Sequence, residues 1–597
     1  MDAQPDKSWK RLRNLKPTSR SLRRGARKIE TATLKHANRF IVSRLDSIRS
    51  VRRHALGWLA FVGLLICISA FQLAGYQRSY SLYAPVAGGT YAEGVVGPLE
   101  SINPIFARTQ AEQAASRLVF ASLLSYDATT HLRNDLASSW RIEQDGKRYV
   151  VDLRNDVVWH DGQKITADDV TFTVNLIKNP LVRSPLHNSW AQVKATKLSE
   201  TSVAFDLVRP YAAFPHALTF GILPRHILGA TPPERLREAD FNRQPIGSGG
   251  FMFKRIQVIN PDEGRMIVYL ERNPQFVLGA PKLERFQLHI FNSTEAIKTA
   301  FLRQEINGGA DLTSDELQSI MDKQQDAIVY QTHILDGVFA FLNNDSSMFS
   351  DAAVRKAFVT GTNRNAIIAK LHNYASRLEG PLANSQLSSA SSKRQANFDL
   401  SAARSILDQA GWKLQGQTRV KDGAALTINL VTIKSGDYPV VAEELKTQWQ
   451  QLGANVNLKL VTPADVQQTV VLPRAYDAFV YELELGADPD VYAYWHSSQA
   501  DPRGLNLSNY KSSIASEALS SAQLRLDMAG RIPKYELFVT TWLGDAPAVA
   551  LYQPQLHYVT SESVDALQSN EAVVNRTDRY RSVQLWAANK SWRYTSP

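Results

Sequence analysis

Ala55 to Tyr76 reads ALGWLAFVGLLICISAFQLAGY, 22 residues without one charged side chain. A bilayer's hydrocarbon core is roughly 30 Å thick and is crossed by about 20 helical residues, so this run suits a single membrane passage. A buried helix of a soluble domain reaches the same length but keeps a polar stripe, and this run has none. No other stretch of the chain comes close. Residues 1–54 hold 16 Lys/Arg against four acids, a net of +12, whereas the whole chain carries +11. Everything after residue 54 therefore nets −1, and the basicity belongs to the tail alone. Flanking Lys/Arg stays cytoplasmic, which predicts the N-terminus inside and the remainder outside the cell membrane. With a net charge near zero, the large module also lacks the electrostatic footprint of a nucleic-acid binder.

A cleaved signal peptide fits poorly, because its n-region would exceed 50 residues and its apolar run is longer than the usual stretch of about 7–15. Lipidation fits poorly too, since Ile66 stands before Cys67 where a small residue belongs. The run reads as an uncleaved signal anchor. Cys67 is the only cysteine, so the module folds without disulfides, and its size permits large hydrophobic cores. The tail spreads its charges through a partly helical pattern. Arg49, Arg52 and Arg53 abut the membrane, where each basic residue gains about 1 kcal/mol from anionic headgroups.

A short linker, Gln77 to Val86, leads into a mixed α/β pattern without internal repeats. Arg141 to Glu143 and Arg148 to Leu153 flank Asp145-Gly146, a hairpin signature, and Tyr149, Val151 and Leu153 alternate as in a half-buried strand. Thr166 caps a helix whose first turn holds Asp168 and Asp169, with Pro180 beyond its end. Asp399 caps a second helix with Ala403, Ile406, Leu407 and Ala410 on one face, stopped by Gly411. Val441, Leu445, Trp449 and Leu452 form another stripe, stopped by Gly453, and Asn455 to Leu460 alternates like a strand. Helix, glycine, strand is the grammar of an α/β fold. The Ser-rich Asn384 to Gln395 reads as a surface loop.

Several of these segments resemble, in order, the extracytoplasmic solute-binding proteins of ABC importers in the oligopeptide-, dipeptide- and nickel-binding group (family 5). The most specific piece is Val157 to Gly162 (VVWHDG) followed by Ile165 to Val170 (ITADDV) and Phe172-Thr173. Leu118 to Leu124 is similar to a first-lobe helix of that family, Pro245 to Phe251 to its Gly-rich turn, and Arg272 to Phe276 to its Asn-Pro element. Phe349 to Ala357 resembles the start of its second lobe, and Asn397 to Trp412 its alanine-rich helix. The resemblance implies an α/β, two-lobed periplasmic-binding-protein type II fold with an extra subdomain, here preceded by one transmembrane helix. Its expected layout is a cytoplasmic tail at 1–54, the anchor at 55–76, the linker at 77–86 and a first lobe at 87–334 with its subdomain at about 118–242. The second lobe follows at 335–544, and 545–597 returns to the first lobe with a C-terminal addition from Arg576. Gly247 to Gly250 lacks the Lys-Ser/Thr that a phosphate loop requires and reads as a turn.

In peptide-binding members, an extended segment before a Pro-containing turn offers its main chain to the peptide, and an acid there pairs the ammonium group. The matching stretch is Tyr481 to Asp490 (YELELGADPD). Leu485 occupies the acid's place. Glu484 is one residue off and so faces the other side of an extended strand; a one-residue slip would restore it, and Glu482 is the second candidate. A solvated strand edge is the alternative for both acids. Tyr492 to Tyr494 and Trp495 are candidate apolar walls, Asp488 and Asp490 candidate turn caps, and Tyr91 and Asn103 (with Pro104) candidate contacts from the first lobe. No HExxH or close His/Cys set recommends a metal site, no catalytic motif is present, and no cofactor is implied. The expected role is a membrane-anchored receptor that passes short peptides to an ABC permease and its ATPase subunits. A sensor or scaffold signalling through the basic tail is the alternative.

Overall fold

The structure, a computed structural model, describes residues 35, 45–387, 393–567 and 572–594. Most of the basic tail and part of the Ser-rich segment expected as a loop lie outside the described residues. The chain divides into two compact units, Met1–Ala84 with Ser591–Pro597, and Pro85–Lys590. The described part of the first is dominated by one helix, Leu45–Tyr80. Its window His54–Tyr76 is 23 residues of mean hydropathy 2.1 and none of it is buried. At 1.5 Å per residue that window is about 35 Å long, enough to cross a bilayer. Within this window Trp58, Leu59 and Phe71 are exposed.

The second unit is organised by a long mixed sheet. In spatial order its strands are Asn455–Val461, Thr427–Ile433, Ala478–Glu484, Asp336–Leu342, Ala548–Thr560, Gly308–Ala310, Thr90–Val96, Arg285–Phe291, Arg265–Arg272 and Phe251–Asn260. The 13-residue strand Ala548–Thr560 joins its two ends, pairing with Asp336–Leu342 through Ala548 to Tyr552 and with Gly308–Ala310 through Tyr558 to Thr560. One core, around Tyr91, Trp159, Phe286 and Trp586, packs on the strands Thr90–Val96, Arg285–Phe291 and Arg265–Arg272 and runs without a break into a four-stranded antiparallel sheet built from residues 137–206. A second core gathers Phe339, Trp495 and Trp542; a third gathers Phe358, Trp449 and Leu430. Each such aromatic removes a large apolar area from water, worth about 1.5–3 kcal/mol or more.

Local expectations fare well where neighbours decide. Thr166 and Asp169 form a reciprocal capping box at the start of the helix Ala167–Lys178. Asp399 accepts from the Ala402 amide at the head of Leu400–Gln409, and Gly411 (φ +88°) and Gly453 (φ +90°) stop their helices in the left-handed conformation that glycine adopts freely. Asn455–Val461 then runs parallel to Thr427–Ile433, as the α/β grammar requires.

Three expectations are corrected. The hairpin forms as its turn signature implies, Ala137–Glu143 running antiparallel to Arg148–Leu153, but the half-buried alternation is corrected, since Val150 is buried along with Tyr149 and Val151. The helix expected at Leu118 to Leu124 instead spans Gln110–Val119 and ends there. The Gly247–Gly250 turn explains why: the Ser248 and Gly249 amides donate to the Val119 carbonyl, so this turn closes the helix. A Cβ on Gly247 would lie 2.0 Å from that carbonyl oxygen, so only glycine lets the backbone approach. Finally, the segment from Arg576, expected as an addition, packs inward: Tyr580 and Trp586 join the first core and Arg579 is fully buried.

Candidate functional site

The strand Ala478–Glu484 lies between a parallel neighbour, Thr427–Ile433, and an antiparallel one, Asp336–Leu342. Alternation sorts its side chains. Phe479 and Leu483, followed by Leu485, fill the second core, whereas Ala478 and Val480 belong to the third. Glu482 and Glu484 continue the Ala478–Val480 face past the edge of the third core. This settles which side each residue faces: Leu485 is 2% exposed and packed in apolar surroundings, and Glu484 is exposed.

The two acids then part company. Glu482 Oε1 accepts from Arg576 Nη2 at 2.7 Å and Oε2 from the Tyr438 hydroxyl at 2.8 Å. Arg576 Nη1 also donates to Asp311 Oδ1 at 3.2 Å. Asp336 stands opposite Glu484 in the sheet register, and its Oδ1 is buried without a conventional partner. Burial and then the neighbouring charge of Glu482 push the Asp336 carboxyl well above its ordinary range. Glu482 is held below its own range, since Arg576 and hydrogen bonds from Asp336 and Tyr438 outweigh its burial. The two carboxyls thus shift in opposite senses, Asp336 toward its protonated form and Glu482 toward its ionised form.

Among the described residues Glu484 has no ion pair or side-chain hydrogen bond; only its backbone carbonyl is engaged, by the Tyr494 hydroxyl at 2.7 Å. Its carboxylate opens onto a cavity of about 430 Å³ whose other walls include Arg117, Phe120, Trp190, His216 and Phe220, together with Asn575 and Thr577. Those walls strip away much of its water, and with the nearby charge of Glu482 this raises its pKa. His216 donates to or accepts from the Tyr126 hydroxyl at 3.0 Å, and burial pushes its pKa down. Pro104 also reaches this wall.

On the other side of the 575–577 turn lies a second cavity of about 170 Å³, bordered by Asp311, Asp437, Glu482, Tyr552 and Arg576. Asn575 and Thr577 face the first cavity and Arg576 the second, so this turn divides the space. Asn575 fixes the turn by accepting from the Thr577 and Asp578 amides.

The remaining expected contacts are corrected by burial. Trp495 is fully buried edge-on to Phe339 and Trp542 and forms no wall. Tyr91 is fully buried with its hydroxyl on that of Tyr558, and Asn103 is fully buried, donating to Asn242 Oδ1 at 3.0 Å. Tyr481 is stacked on Phe479, and Tyr492 on His496; both are half-buried and neither borders either cavity. Asp488 and Asp490 do cap the turn through the Asp490 and Tyr492 amides. Asp488 also makes a bidentate pair with buried Arg531. Sequence reasoning missed Arg576, Asp311, Asp336 and Tyr438. The Arg576–Glu482 and Arg576–Asp311 partners are 94 and 265 residues apart, so no local pattern signals them.

A family model described as bacterial extracellular solute-binding proteins, family 5, middle, matches residues 131–504, more than half of the chain. The oligopeptide-binding protein AppA of Bacillus subtilis is 26% identical over 522 residues, covering 84% of this chain and 92% of that protein. The solved structure of AppA in complex with a nonapeptide superposes with a TM-score of 0.69 at 24% identity, covering 84% of this chain and 99% of that one. The structure of NikZ from Campylobacter jejuni in complex with Ni(L-His) gives a TM-score of 0.71 at 25% identity, covering 83% and 99%.

Proposed function

Since the chain belongs to family 5 of the bacterial extracellular solute-binding proteins, we propose that it is a membrane-anchored receptor that captures short peptides outside the cell for an ABC permease and its ATPase subunits. The role is binding, and relatives such as AppA are named as binding proteins. The observation that carries this reading is Glu484: an unpaired carboxylate at the end of a sheet strand, opening onto a cavity large enough for a small solute. A peptide ammonium supplies the missing partner, and a charge-assisted bond of this kind is worth about 1.5–3 kcal/mol. In this reading the parts of the module flanking the cavity are two lobes that close on the ligand, with the 118–242 region as a subdomain of the first.

The exposed apolar helix supports the anchor, because so much apolar surface needs hydrocarbon around it. A tether keeps the receptor near its importer and raises its effective concentration there. Two measurements test the proposal. Calorimetric titration of the full chain with a set of di- to pentapeptides should show binding that weakens about tenfold or more in Glu484→Gln; unchanged affinity removes Glu484 from the site, and no peptide binding overturns the peptide reading. Protease applied outside intact cells should digest the module and spare the tail; the reverse pattern overturns the topology.

A further inference from the structure

The second cavity has a chemistry of its own. Three carboxylates border it, Asp311, Asp437 and Glu482, against a single guanidinium, that of Arg576. His557 is the other titratable basic group on its wall, and its ring nitrogens face the Leu312 and Tyr374 carbonyl oxygens at 2.6 and 3.3 Å. Even a charged imidazole leaves the enclosure one negative charge in excess. Internal donors are already committed: Arg576 to Asp311 and Glu482, Tyr438 to Glu482, and the Ser314 amide and hydroxyl to Asp437.

What is left over is a set of acceptors. Among the described residues Asp311 Oδ2 is buried with no partner, and so are the side-chain oxygens of Gln110 and Gln555, all on residues of this one wall. Tyr552, nine-tenths or more buried, borders the same space, and its hydroxyl has no hydrogen bond among the described residues. Buried polar groups are nearly always satisfied, so the Tyr552 hydroxyl beside a wall of excess negative charge calls for an occupant with donors. Excess negative charge selects a cation over water alone. A volume of 170 Å³ is several times the roughly 30 Å³ share of one water and admits a short amine.

We propose that the enclosure walled by Asp311, Asp437, Glu482 and Tyr552 is a binding compartment for a compact cationic group, a primary amine carried by the captured solute. This deepens the receptor reading above by assigning a second positive group to its ligand, apart from the one that meets Glu484. An ammonium brings three donors and one charge, answering the Tyr552 phenol and the excess negative charge of the wall.

The test uses the full chain in lipid nanodiscs at pH 7, with n-butylamine as probe and 1-butanol as its neutral isostere, read by saturation-transfer NMR titration. The amine should bind at least tenfold more tightly than the alcohol. Asp311→Asn should weaken the amine about tenfold, and Tyr552→Phe, which removes one hydroxyl and little volume, about threefold. Equal binding of amine and alcohol, or amine binding untouched by both substitutions, overturns the proposal. So does an amine signal abolished by Glu484→Gln and indifferent to the other two, which would locate it in the first cavity. Amine binding without peptide binding overturns the peptide reading and keeps this compartment; peptide binding with no preference for amine over alcohol does the reverse.

Discussion

Two arginines of one short C-terminal turn meet two glutamates in very different surroundings. Arg579 and Glu93 are both sealed, at 1% and 0% side-chain exposure, with Arg579 Nε and Nη2 at 3.1 and 2.8 Å from Glu93 Oε1. The tyrosine hydroxyls of residues 558 and 580 complete that carboxylate's shell. Arg576 and Glu482, three residues away along the turn, are 23% and 17% exposed and border a cavity whose wall keeps unpaired acceptors. The first pair is closed on itself and has nothing to offer a ligand. The second is an ion pair with room beside it. The same side-chain chemistry is thus closed in one place and left beside open space in the other, and the difference lies in whether every polar atom is already satisfied.

The comparison predicts an order of effects on stability. Arg579→Met strands the Glu93 charge in the dry core and should cost about 3–5 kcal/mol, seen as a large shift of the urea midpoint at constant slope. Arg576→Met should cost less, about 1–3 kcal/mol, because Glu482 can take up cavity water. If the two losses are equal, the contrast between a sealed and a hydrated pair is broken.

Asp336→Asn should act through pH. A carboxyl whose folded pKa is raised binds its proton more tightly in the native state. Its contribution is complete below the ordinary aspartate value of 3.8 and is lost as pH climbs through the higher folded value. The asparagine variant should therefore flatten the decline of stability on going from acid to neutral pH, measured by urea unfolding at several pH values. An unchanged slope would assign that proton elsewhere. Glu484→Gln should cost no more than about 0.5 kcal/mol, since among the described residues that carboxylate has no side-chain partner to lose. A larger loss would show that Glu484 is engaged in the structure rather than free for a ligand.

How much of this was readable from residues in order? The cap at Thr166 with its acidic first turn, the stops at Gly411 and Gly453 and the core stripe ending at Trp449 and Leu452 were, because each depends on contacts within a few positions. The acidic strand was located too, and Glu482 and Glu484 were named. Their separation into a paired and an unpaired acid was not, since it turns on Arg576 arriving from 94 residues away. Trp495, Tyr91 and Asn103 failed as cleft residues for a related reason: an aromatic or amide near a binding segment reads the same whether it faces water or fills a core.

By itself the sequence determined the apolar run, the concentration of positive charge before it, the near-neutral module and the capped α/β elements. These follow from composition and from interactions along the chain. Only the tertiary structure decided that Leu485 turns into a core, that Glu484 stands free, and that a C-terminal turn divides the space beside it. Strand parity becomes a face only when a neighbouring strand fixes the register. A charge becomes paired or available only when distant segments are brought within hydrogen-bond reach.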